Sequence, residues 1–160
     1  MRAGWTFWVG VVLLVILHFL LHLGFGLGRI APDLLTIALL VAAREVGMGS
    51  AGGIGFFFGM LEDAFSVLAF GANAMTLTVV GILGARTRDL FVGDSRLFIL
   101  SYLGVGKLLR DVIHWIVAGE AVREPFIHAM VVHSVPSAVY AAIVGIVAMK
   151  ALGALGGLSR

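Results

Sequence analysis

Long apolar runs, interrupted by short polar stretches, set the pattern of this chain. A helix crossing about 30 Å of hydrocarbon needs roughly 20 largely apolar residues. Six runs fit end to end, over residues 4–23, 32–45, 50–70, 72–87, 95–118 and 126–152. The second is the shortest. The connections are only a few residues long, so residues 1–160 read as a single all-α domain, a six-transmembrane-helix bundle. Pro32 stands where the second helix should start, with Asp33 expected in its first turn, where the helix dipole favours a carboxylate. Pro125 plays the same part before the sixth helix, and Pro136 inside that helix predicts a kink. The first run is longer than a signal-peptide core and no A-x-A site follows it. It is therefore expected to be a retained span.

Positive charge orients the bundle. With the N-terminus in the cytoplasm, the inside holds Arg2, Arg44, Arg86, Arg88, Arg96, Lys150 and Arg160, and the outside holds Arg29 and Arg123. Seven against two places both termini inside.

Composition strengthens the membrane reading. The chain is 61% hydrophobic and 12% charged, against ~45–50% and ~25% for a soluble domain. That excludes a water-soluble enzyme, a disordered tail and a free nucleic-acid-binding domain. The formal charge of +2 is too balanced to imply a polyanionic partner. The absence of cysteine removes disulfides, thiol nucleophiles and cysteine metal sites.

Several motifs fail on context. Gly47, Gly49 and Gly52 sit in a glycine cluster that imitates a dinucleotide fingerprint, but no strand precedes it. Gly104-Val-Gly106-Lys107 imitates the end of a phosphate loop, but it lies mid-helix with no Ser or Thr following. His18 and His22 are four apart, a metal-ligand spacing. With no cysteine and a single His pair, interfacial or interhelical hydrogen bonding is the preferred reading, and no metal or cofactor is expected. Ala51, Gly55 and Gly59 recur every four residues. Such a stripe lets another backbone approach closely, either within the bundle or from a partner.

Charge inside the spans is the stronger signal. Lys107, Arg110, Asp111 and His114 share one face of the fifth helix, and Glu62 and Asp63 end a stretch of the third. Three charges on one span would cost roughly 9 kcal/mol facing lipid, so they should face protein or a hydrated cavity. Glu62 lies 12 residues into its run and Lys107 12 into its own, a rise of about 18 Å in each. Glu62 or Asp63 should therefore meet Lys107 or Arg110 across the bundle. Two roles stay open for that belt. It is either an ion pair fixing helix register, or the wall of a ligand pocket or partner contact.

Three stretches carry a family resemblance. Pro32-Asp-Leu-Leu-Thr-Ile-Ala38 opens the second helix. The glycine-rich run Gly52-Gly-Ile-Gly-Phe-Phe-Phe-Gly-Met-Leu-Glu-Asp63 is followed by Phe70-Gly-Ala-Asn-Ala74, with Gly71 and Asn73 in the turn. In that order they resemble the rod-shape-determining MreD family. The resemblance implies a multi-pass protein of the bacterial cytoplasmic (inner) membrane, with Pro32, Asp33, Asp63, Gly71 and Asn73 as motif residues. It implies a non-catalytic scaffold or regulator of cell elongation and peptidoglycan synthesis. The implied direct partner is MreC, with RodA, its class B transpeptidase and MreB reached indirectly, besides membrane lipids. The family is also similar to the substrate-binding S components of energy-coupling-factor transporters, six-helix bundles. A small-molecule-binding S component is accordingly the alternative, and a membrane-embedded acid–base enzyme using Glu62, Asp63 and His114 is a distant third.

Overall fold

A computed structural model describes residues 4–25, 32–66, 69–87, 96–119 and 123–151. Arg2, Arg29, Arg88, Ser95, Leu152 and Arg160, which enter the charge count or the run limits above, lie outside them. Among the described residues the chain is all helical, with six helices and no strand.

Helix α1 spans Trp5–Phe19 and continues as a π-helical turn over Leu20–Gly24. Helices α2 (Leu34–Glu45), α3 (Met48–Asp63), α4 (Ala72–Thr87) and α5 (Arg96–Val117) follow. Helix α6 is built of Phe126–His128, a π-helical stretch over Ala129–Ser134, and Val135–Ala151. Two stretches, Trp5–Leu23 in α1 and Phe126–Lys150 in α6, are long and apolar enough to cross a membrane. Helices α2, α3 and α4 are shorter than the ~20 residues a span takes. Helix α5 is long enough but carries Lys107, Arg110 and Asp111.

Helix α2 is the core of the bundle. Every residue from Leu34 to Ala43 is buried, among them Leu35, Ile37, Leu39 and Leu40. A helix apolar on all sides belongs in the middle of its neighbours. Opposite it, α1 exposes Val12, Leu13, Ile16 and Leu20, and α6 exposes Val131, Val139, Ile143 and Val147. The tightest pairing is α3 against α4. Gly55 and Gly59 place the α3 backbone on Leu77 and Ala74 of α4, and Gly81 of α4 lies on Ala51. Tyr102 of α5 fastens the far end, its hydroxyl 3.0 Å from the Leu40 carbonyl oxygen and 3.2 Å from that of Gly84.

Two expectations need correction. The third run does not continue as helix to Phe70. Helix α3 stops at Asp63, because that side chain turns to cap α4. Asp33 is the N-cap of α2, one position before its first turn, with Oδ1 accepting from Thr36 N at 3.0 Å and Oδ2 from the Thr36 hydroxyl at 2.8 Å. Pro136, where a kink is expected, lies two residues beyond the π-helical stretch over Ala129–Ser134, in which the backbone widens to i→i+5 bonding. Of the two readings open for the small-residue stripe, the internal seam is the one seen: Ala51, Gly55 and Gly59 are all buried against α4, which leaves no room there for an outside partner.

Candidate functional site: a charged cavity above the short helices

Helices α2 and α3 meet their charged ends at the level of Asp33 and Glu62, while α1, α5 and α6 extend past them. The difference in length leaves a cavity of about 690 Å³ with Asp33, Glu62, Lys107 and Arg110 at its base and His22, Trp115 and Tyr140 among its lining residues.

Arg110 is the hub of that base. One terminal nitrogen, Nη1, bonds Asp33 Oδ2. The other, Nη2, reaches both oxygens of Glu62, at 2.6 and 2.7 Å, and lies 3.5 Å from Asn73 Oδ1. Lys107 bonds Asp111 one turn along α5 and stands 3.5 Å from Asp33. Thus α5 supplies two cations and one anion, α2 and α3 one carboxylate each. The depth argument expected a contact between the third and fifth helices, and Glu62–Arg110 is that contact.

Asp63 takes no part in that ionic cluster. It is 1% exposed, and its carboxylate accepts from Asn73 N, Asn73 Nδ2 and Ala74 N at 2.9–3.1 Å. The two backbone donors belong to the first turn of α4, whose N–H groups have no partner within the helix. Gly71, with φ of +89°, makes the left-handed turn that brings Asn73 round to Asp63. Asn73 therefore links two networks, donating to Asp63 and facing Arg110.

Asp33 was missed as a cluster member. Its sequence position suggested a helix start and a family motif but no ionic partner, yet α2 is short, so its start lies at the depth of Arg110. His18 and His22 are stacked with ring centroids 4.1 Å apart instead of converging on one point. The Leu35 N–H donates to His18 Nδ1 at 3.3 Å, so that ring serves as an acceptor at the α2 N-terminus. Arg110 Nε and His114 Nδ1, both beside the cavity, have no protein hydrogen-bond partner.

The outer rim is held separately. Trp115 Nε1 donates to the Glu124 carbonyl at 2.9 Å, and Trp115 meets Phe126 edge-on at 5.0 Å. Arg123 lies over the Trp115 ring, 4.6 Å from its centroid, and donates to the carbonyls of Ile116 and Ala118 at 2.9 Å. Sequence reading singled out none of these contacts, because they join the end of α5 to the residues before α6.

Comparison with protein-family models, with curated proteins and with solved structures gave no match.

Proposed function

We propose that the chain is a six-span protein of the bacterial cytoplasmic membrane, both termini inside, that serves as a non-catalytic scaffold of cell elongation by binding MreC. The observation that carries the reading is the joint role of the stretches behind the family resemblance. Asp63, Gly71 and Asn73 together make the turn from α3 into α4, the glycines of α3 seat the two helices together, and Asp33 ties α2 to Arg110 of α5, which also faces Asn73. Residues that sequence resemblance grouped by order alone thus form one physical unit. The base of the cavity supports a non-catalytic role, since each cation there is engaged by a carboxylate and each carboxylate by a cation.

In this reading the apolar outer faces of α1, α3, α4, α5 and α6, with Phe56, Phe57, Met75 and Val105 exposed on the middle three, meet lipid or the span of MreC, and α2 is sheltered among them. Conditional depletion of the chain in its own bacterium tests the function. Cells are expected to lose control of width and to round or swell as new wall is inserted without guidance. Unchanged shape with lost uptake of a small nutrient would overturn the reading.

The cavity favours a second reading, a binding site for a small anionic molecule, as in an S component. Arg110 Nε and His114 Nδ1 are donors or acceptors that the protein leaves unmatched at a 690 Å³ space. The same depletion experiment separates the two.

A further inference from the structure

At the rim of the cavity, Glu124, His128 and His133 each present one ligating atom, and these atoms lie within 4.8 Å of one another. The Glu124 Oε2 atom is 3.6 Å from His128 Nδ1 and 3.5 Å from His133 Nε2. We propose that these three side chains bind a divalent transition cation of the zinc class. The inference stands independently of the function proposed above.

The spacing suits such an ion. Tetrahedral ligands at ~2.0–2.1 Å from zinc are about 3.4 Å from one another. Two of the three separations are within a few tenths of an ångström of that value, and the third closes with modest side-chain rotation. Two histidines and one carboxylate are a donor set zinc accepts, and three protein ligands leave a fourth position for water or for a donor atom of a cavity occupant. Glu124 and His133 both line the cavity.

The backbone is arranged for this convergence. Residues five apart on an α-helix point about 140° away from each other, so His128 and His133 would diverge on a regular α6. The π-helical stretch over Ala129–Ser134 separates them, and its wider turn brings residues five apart back to one face. Their rings are 5.2 Å apart in the structure. Single π turns inside α-helices occur often at functional sites. Glu124 is held from the other side, its carbonyl fixed by Trp115. Arg123 is the neighbouring cation, and its guanidinium is engaged with the Ile116 and Ala118 carbonyls and the Trp115 ring.

The test uses untagged full-length protein in detergent, stripped of metal, titrated with Zn²⁺ against a chromogenic chelator. One equivalent is expected to bind. Loss of an outer-sphere partner alone weakens a metal site by 10–100-fold, so H128A, H133A and E124Q should each weaken it by at least about tenfold. All three positions are partly exposed, so folding should survive, and Co²⁺ provides a second readout through the visible bands of a tetrahedral N/O site. An H18A/H22A variant should bind as the wild type does. Failure to bind Zn²⁺ at micromolar concentration would overturn the proposal. So would binding that survives H128A and H133A but is lost in H18A/H22A.

Discussion

Arg110→Met should be among the most destabilising single substitutions in this protein. The guanidinium is 11% exposed and serves two carboxylates, Asp33 at 9% and Glu62 at 23% exposed. Removing it strands both. Breaking a buried pair by deleting one partner costs about 3–5 kcal/mol, because the remaining charge keeps its desolvation cost without compensation. Lys107 offsets part of this at Asp33, from which it is already 3.5 Å away. For a chain of this size, the loss translates into a fall in melting temperature of roughly 10 °C. Arg110→Lys should fall between the two, since a point-like ammonium cannot serve Asp33 and Glu62 with a planar fork. Adding Glu62→Gln to Arg110→Met should recover part of the loss. The measurement is thermal unfolding of the purified chain in detergent, followed by helical circular dichroism. An Arg110→Met protein that melts with the wild type would show that the network contributes nothing to the bundle.

The second large effect lies at the seam of α3 and α4, where glycines close in sequence should behave oppositely. A Cβ on Gly55 would stand 2.6 Å from the Leu77 carbonyl carbon, with the carbonyl oxygen nearer still. Backbone cannot step aside as a side-chain tip can, so Gly55→Ala should cost at least the ~1–3 kcal/mol typical of overpacking. Gly55→Leu should prevent the hairpin from closing and leave little monodisperse protein. Gly53 provides the control, because a Cβ there meets nothing within 4 Å. Alanine at that position removes the entropy cost of a helical glycine, worth up to ~1 kcal/mol. Gly53→Ala is therefore expected to be neutral or stabilising, and Gly55→Ala clearly destabilising, in the same melting assay. The reverse order would contradict the packing described.

Much of the architecture was legible because hydropathy and helix termini are local properties. The limits of α4 and α5 follow from apolar run length, and the Glu62–Arg110 contact followed from counting residues along two helices. What was not legible depends on how the helices pack around one another. Nothing local shows that the Ala51–Gly55–Gly59 stripe closes on α4 instead of facing a partner. Glu62 and Asp63 are adjacent and chemically alike, yet successive helical positions point about 100° apart. One therefore turns to Arg110 and the other to the first turn of α4. Asp33 enters the ionic cluster only because α2 is short enough for its N-cap to lie inside the bundle. His128 and His133 converge only through a π-helical stretch. A regular 3.6-residue period assigns them to different faces, although Pro136 did signal irregularity nearby.

The charged base and the glycine seam concern how the bundle holds together. The claim of function rests on what the bundle holds. Purification of the chain from its native membrane in mild detergent, with identification of every protein recovered in stoichiometric amount, tests that claim most directly. MreC is the expected companion, with RodA and its transpeptidase recovered in smaller amount through it. Recovery of a transport subunit with two ATPases and without MreC would contradict the scaffold reading, and would make the cavity above Arg110 a transported molecule's binding site.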